Sequence, residues 1–324
     1  MYILELNKKN IALSIAEALS VLKPKKYSII EDYLIIEGPN FVLRKKIRKA
    51  TLGLTKNIKK IILTSADSND LKIELAKKDI SKYYKKNFKV ECQGFSKESD
   101  IITKIIGSII FRQLKKAKVN VKNPKTLFSC IKTKNRVFFT VLLWKNKDNV
   151  QDRKNKELPE KMPTTLDPNI AKAMVNLTRI KKGKLIDPFC GAGGILIEAA
   201  RFGFKVTGYD IDKRAIGKAK LNLLHLGINN VHLEMKDALT INKKYNAIVT
   251  DLPYGKNSKV SKEINKLYFE FLIKSLKCTK NMVIGFPTSF NKENIPKQWK
   301  IINFFELYVH KSMSKSIYVL KKKK

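Results

Sequence analysis

The stretch KLIDPFCGAGGILIEAA, residues 184–200, runs a short apolar strand into Asp187, breaks at Pro188, passes through Gly191, Gly193 and Gly194, and resumes as an amphipathic helix. Such a turn lets the backbone approach a ligand closely and brings a helix N-terminus near it. A GxGxxG dinucleotide fingerprint would need glycine at 196, where Leu196 stands. Working outward, Asp210 closes the next strand in KVTGYDID, where an acid can bind ribose hydroxyls, and Asp237 follows the third strand in EMKDAL. The fourth strand, in AIVTDLPYGK (247–256), ends at Asp251, and Pro253 and Gly255 force a turn that exposes Tyr254 beside it.

Ends of adjacent parallel strands converge on one crevice, so Asp187, Gly191, Gly193, Asp210, Asp237 and Asp251 are expected to line it together. Singly, each acid is as readily a turn or helix cap. Four acids at four successive strand ends favour the crevice. Cys190 reads as a small packed residue beside the glycine loop.

The alternation of strand and helix from LDPNIAKAMVNLTRI, with Pro168 near its start, to NMVIGFP predicts a parallel sheet covered on both faces. The last two strand candidates, KIINFFELYVH and KSIYVL, have no helix between them and are expected to pair antiparallel. Upstream, YLIIEG, KKIILTS and FKVECQGFS read as strands, and NFVLRKKIRKATLG, SNDLKIELAKKDI and KESDIITKIIGSIIFRQLKKAK as helices. VNVKNPKTLFSCIKT and RVFFTVLLW form two more strand candidates around a turn at Lys134 and Asn135, the aromatics of the second reading as core. The polar segment 146–163, with Pro159 and Pro163, reads as a linker.

Lys and Arg total 67 against 28 acids, a formal charge of +39, which points to a polyanionic partner. Only eight of these are Arg, so biased lysine usage is the competing explanation. Candidate RNA contacts are RKKIRK (44–49), the lysines at 115, 116 and 118, and the terminal KKKK; each also reads as a solvated face or tail, or as cations at a helix C-terminus. Four dispersed cysteines and three histidines show no metal-ligand spacing, so neither a metal site nor a disulfide framework is expected. No run of about 18 apolar residues is present and the start, MYILELNKKN, is polar, so a cytoplasmic protein without membrane association is expected.

In order and spacing, DPFCGAGG, the acid of GYD, the Asp after the third strand and DLPYG resemble the motifs of class I S-adenosylmethionine-dependent methyltransferases. The last resembles the [DNS]-P-P-[YFWH] signature of amino-group methyltransferases, with Leu252 in place of the first proline. VNVKNPKTLFSCIKT resembles the end of a THUMP RNA-binding domain. With a ferredoxin-like segment before it, and QDRK and MPTTLDPNIAKAMVNL after it, the whole order resembles the archaeal tRNA guanosine-10 N2-methyltransferases.

That resemblance implies an α/β fold: a C-terminal Rossmann-like methyltransferase sheet with an N-terminal α+β ferredoxin-like plus THUMP region. The boundaries expected are 1–57 for the ferredoxin-like segment, 58–145 for THUMP, 146–163 for the linker and 164–324 for the methyltransferase. It implies S-adenosylmethionine as cofactor, held by Asp187, Phe189, Gly191, Gly193, Asp210, Ile211 and Asp237, and tRNA as partner of a monomer. Asp251 and the Leu252 carbonyl would each accept an N–H of a guanine amine, Pro253 would fix the loop and Tyr254 would stack on the flipped base. Rival readings are an amino-group methyltransferase acting elsewhere in tRNA, on ribosomal RNA, on DNA or on protein glutamine, and a non-catalytic RNA-binding protein. A 4-thiouridine synthetase is excluded by the missing SGGxDS loop.

Overall fold

The computed structural model describes residues 1–38, 52–154, 156–162, 165–253, 262–310 and 313–323. The expected helix NFVLRKKIRKATLG, with its RKKIRK cluster, lies almost wholly outside the described residues, as does Tyr254. The chain divides into two compact units, one of Met1–Ile11, Leu22–Ala50 and Thr55–Lys147, the other of Ala12–Val21, Thr51–Leu54 and Asp148–Lys324.

The first unit is built on one sheet of β1 (Tyr2–Leu6), β2 (Lys26–Ile30), β3 (Tyr33–Glu37), β4 (Thr55–Ser65), β5 (Phe88–Gln93), β6 (Thr126–Lys132) and β7 (Val137–Lys145), in the order β2-β3-β1-β4-β7-β6-β5. Only the β5–β6 pairing is parallel. β4 runs through the expected boundary at 57/58, so both halves of this region share a sheet. The turn between β6 and β7 falls at Lys134 and Asn135, closed by the Thr133 N–H to the Arg136 carbonyl at 2.8 Å. Of the aromatics in RVFFTVLLW, Phe138 and Phe139 are buried, and Phe139 stacks on Phe128 at 5.4 Å. The helices α2 (Ser68–Lys77), capped by Asp67, and α3 (Ser99–Gln113) pack on this sheet. Ile102, Ile106 and Ile110, one helical turn apart, give α3 its buried stripe. Each such side chain contributes roughly 1.5–3 kcal/mol by leaving water.

The second unit holds β8 (Lys184–Asp187), β9 (Lys205–Asp210), β10 (Val231–Met235), β11 (Ala247–Asp251), β12 (Asn281–Pro287), β13 (Trp299–His310) and β14 (Met313–Lys322), in the order β10-β9-β8-β11-β12-β14-β13. The first five are parallel, and β14 returns antiparallel to both β12 and β13, as expected for the final pair. Successive side chains on a strand point to opposite faces. Leu185, Val249 and Val283 accordingly join one buried cluster, and Ile186, Ile248 and Ile284 the other. The first cluster packs α1 (Ile11–Leu22), α4 (Pro168–Leu177) and α5 (Gly194–Arg201); the second packs α7 (Lys262–Ser275). α6 is Lys213–His225. α4 starts where its sequence dictates, with Asp167 capping the Asn169 N–H at 2.9 Å and Pro168 in the first turn.

Two segments fall in this unit for reasons the sequence pattern hides. Glu17 of α1 is buried and accepts N–H groups from Gly53 (2.6 Å), Leu54 (2.8 Å) and the Asn176 amide (2.7 Å). Burial still holds its carboxyl above the ordinary range. Residues from Asp148 to Met162, most of the expected linker, carry buried Leu158 and Arg153; Arg153 pairs with buried Glu198 of α5 at 2.7 Å and with Asp148 at 2.8 Å. Charge there faces inward to neutralise a buried carboxylate, which a composition rule for linkers reads as solvation. Among the described residues, no helix is long and apolar enough to cross a membrane.

Candidate active site

Chain order in the second sheet reverses between β8 and β11, and a crevice forms beyond the carboxyl ends of strands at such a point. A cavity of about 330 Å³ lies there. Of the residues singled out from sequence, Asp187, Phe189, Gly191, Asp210, Ile211, Asp237, Asp251, Leu252 and Pro253 line it. Gly193 does not. It sits at the cap of α5 with φ +89°, where a side chain would press on Ala219 at 3.3 Å, so its glycine serves the turn and the packing of α6.

The glycine loop is tied to the second strand. The Cys190 N–H reaches the Tyr209 carbonyl at 2.9 Å, and the Gly191 N–H reaches Asp210 Oδ2 at 2.9 Å. Asp210 Oδ1 accepts the Asp212 N–H at 3.0 Å. Both Asp210 oxygens are thus oriented by backbone donors and keep lone pairs for further hydroxyl donors. Leu196, where the dinucleotide pattern wants glycine, fills the space a Cβ on Gly208 of β9 would take, 2.5 Å away. The small residue has moved from helix to strand. Cys190 is buried there too, and burial pushes its thiol far above the ordinary range, which suits packing rather than nucleophilic attack.

Asp187 is buried at the end of β8 and accepts the Thr250 hydroxyl at 2.6 Å and the Phe189 N–H at 3.2 Å. Burial dominates over these bonds and, with Asp251 and Asp210 nearby, pushes its carboxyl up to about 7. Phe189 stands edge-on to Phe271 of α7 at 5.1 Å. Asp237 accepts the Leu239 N–H at 2.8 Å, and Ile211, 74% exposed, offers an apolar wall at the rim.

At the end of β11, Asp251 pairs with Lys315 of β14 at 2.5 Å, the Leu252 N–H bonds the Gly285 carbonyl at 3.0 Å, and the Tyr268 hydroxyl of α7 bonds the Pro253 carbonyl at 2.5 Å. Gly285 leaves room for this carboxylate. A Cβ at that position would stand 2.3 Å from Asp251 Oδ1. Sequence reading missed Lys315, Gly285 and Tyr268, and the lining residues Met162, Thr165, Leu166 and Leu267. The first three lie on later elements, and no local motif marks them. The cavity suits a nucleoside carrying a cation: an oriented acid and an apolar rim for ribose and base, and a row of carboxylates for positive charge.

Five parallel strands closed by an antiparallel return, a glycine loop after the first strand and acids at the ends of the next define a class I methyltransferase. Solved structures share this fold. TrmN from Thermus thermophilus superposes with a TM-score of 0.59 at 16% identity over 99% of both chains. SMU.472, solved in complex with SAH, gives 0.58 at 16% identity over 100% of this chain and 98% of that one. A family model described as RMKL-like, methyltransferase domain, matches residues 156–298, and one described as DNA methylase matches 12–221. In sequence, the tRNA (guanine(10)-N2)-dimethyltransferase of Methanothermobacter thermautotrophicus is 34% identical over 82% of this chain and 82% of its own. The enzyme of the same name from Methanocaldococcus jannaschii is 31% identical over 94% and 92%. The chain belongs to the tRNA (guanine(10)-N2)-dimethyltransferase family.

Proposed function

We propose that the protein transfers methyl groups from S-adenosylmethionine to the exocyclic N2 amine of a tRNA guanosine, at position 10, giving N2-methyl- and N2,N2-dimethylguanosine. The observation that carries this reading is the placement of Asp251, Leu252 and Pro253 in one cavity with the glycine loop and Asp210. Family membership supports the substrate. Asp210 would hold the ribose hydroxyls, Asp237 the adenine amine and Asp187 the methionine end. Bound there, the cofactor supplies an electrophilic methyl on a sulfonium, whose sulfur leaves as a neutral thioether. The guanine amine is a weak nucleophile because its lone pair delocalises into the ring. In the first transfer the Asp251 carboxylate and the Leu252 carbonyl each accept one N–H, and in the second Asp251 holds the single N–H left, turning the lone pair toward the methyl; Pro253 stiffens the turn, and Tyr254 stacks on the base. As the new N–C bond forms, the nitrogen's surplus proton passes to the Asp251 carboxylate that holds it. Holding both reactants in line supplies roughly 7–11 kcal/mol of the barrier.

The first unit, with its ferredoxin-like and THUMP portions, grips the tRNA; the net charge of +39 supports this. The protein acts as a cytoplasmic monomer. The test is transfer of labelled methyl to unmodified tRNA, with nucleoside mapping. N2-methylguanosine at one position, lost in Asp251→Ala while tRNA binding persists, is the expected result. The DNA methylase match to residues 12–221 is the reason to run duplex and single-stranded DNA alongside. Equal transfer to DNA overturns the tRNA assignment.

A further inference from the structure

The pair between Asp251 and Lys315 is formed by strands that are not neighbours. β12 lies between β11 and β14, with Gly285 opposite Asp251 on one side and Pro287 opposite Lys315 on the other. A side chain at 285 would occupy the path, since its Cβ would meet Asp251 Oδ1. Glycine opens that path. Lys315 then reaches over the strand with its side chain only 3% exposed, and meets an acid that is 13% exposed. Burying an ammonium is costly unless it is paired, so a structural strand does not place lysine here without return.

Among the described residues, the titratable groups around Asp251 come from four other elements: Asp187 of β8, with Asp210 of β9 beyond it, Tyr268 of α7, and Lys315 of β14. β12 contributes only Gly285. Two carboxyls crowded at adjacent strand ends, Asp187 buried and Asp251 largely so, resist being ionised together. A cation on one of them decides which carries the charge.

We propose that Lys315 is a positioning residue for methyl transfer: its ammonium fixes one Asp251 oxygen and keeps that side chain a carboxylate, so that it accepts the substrate amine's N–H. This rests on the role given to Asp251 above. A protonated Asp251 would present an O–H to the amine and engage the lone pair that must attack. Lys315 therefore selects the productive form. It touches neither cofactor nor substrate in this scheme.

The test uses the full chain, with single-turnover methyl transfer to a tRNA transcript between pH 6 and 9, for wild type, Lys315→Met, Lys315→Gln, Lys315→Arg, Asp251→Asn and the double variant Asp251→Asn with Lys315→Met. Without the cation the Asp251 carboxyl titrates higher, so the acid limb of the rate profile should move up by about one unit or more. At pH 6.5 the rate should fall by about 10²-fold, while KM for S-adenosylmethionine stays near wild type. Lys315→Arg should recover part of the rate and the original limb. Because Lys315 acts only through Asp251, the double variant should match Asp251→Asn alone. If Lys315→Met does not fold, Lys315→Gln carries the same comparison. A neutral variant with wild-type rate and profile overturns the proposal, as does a folded double variant far below Asp251→Asn. Full activity in Asp251→Asn, whose amide oxygen still accepts an N–H, would overturn this inference alone, whereas full activity in Asp251→Ala would overturn the role given to Asp251 and this inference with it.

Discussion

Each of the two units is built on a seven-stranded sheet, and each sheet buries a lysine against a carboxylate, yet the two pairs are made differently. In the first, Lys59 of β4 meets Glu5 of β1, on strands that are hydrogen-bonded neighbours. Burial pushes the Glu5 carboxyl up, but Lys59, Asn57 and Gln93 together bring it below its ordinary range. Asn57, also on β4, donates to the same carboxylate, so that pair is held within two adjacent strands. In the second, Asp251 and Lys315 span a strand over a glycine, at the sheet end that opens on the cavity. The difference separates a charge that belongs to the fold from one made available to a ligand. An antiparallel sheet spreads its strand ends over two edges, whereas parallel strands gather their carboxyl ends on one.

The contrast can be broken experimentally. The largest effect should come from Lys59→Met, which strands Glu5 in the sheet and costs about 3–5 kcal/mol of stability at pH 7. Glu5 has a depressed folded pKa, so its contribution is present above the unfolded value, near 4.3, and is lost as pH falls through the folded value. Denaturant melts at pH 7 and pH 3.5 should show the cost shrinking at the lower pH, with S-adenosylmethionine affinity at pH 7 unchanged in the folded variant. Next, Asp251→Ala should reduce transfer on the order of 10²- to 10³-fold while the protein stays folded, measured by single-turnover kinetics. Gly285→Ala should couple both properties, because its methyl must displace Asp251 or β12. A loss of about 1–3 kcal/mol with a clear drop in kcat is expected from melts and kinetics on one preparation.

The smallest effect concerns Asp187. Its carboxyl is raised to about 7 when folded, so between the unfolded value, near 3.9, and about 7 the folded chain binds more protons than the unfolded one. Its contribution to stability therefore falls as pH rises through that window. Asp187→Asn should flatten the dependence of Tm on pH from 5 to 7.5, and an unchanged slope would show the carboxyl to be ionised throughout.

The parts of the second unit legible in sequence were those that carry their own punctuation. Asp187, Asp210 and Asp251 each end a strand just before a turn, Asp237 follows one by two residues, and alternation with helices fixed their common edge. Lys315 stands in SKSIYVL, where period two places it on a face but not beside a glycine on another strand. Gly285, inside NMVIGFP, reads as a weak point in a strand until Asp251 is seen against it. α1 was not read, nor were β1 and β2. The buried acid of α1 is explained by Gly53, Leu54 and Asn176, none of them near in sequence. The expected linker failed on one residue above all, Arg153, whose charge points at Glu198 rather than at water.

The place of α1 in the second unit also sets a clock. Glu17 is made well before its Asn176 partner, which follows 159 positions later. At ribosomal speeds that is a wait on the order of ten seconds. During it the Glu17 carboxylate lacks its Asn176 donor and Leu13 lacks the cluster it joins, so the second unit cannot close before α4 has been synthesised. Expressing residues 148–324 alone would remove the wait and the helix together, leaving Asn176 and the cluster around Leu13 without the segment that completes them.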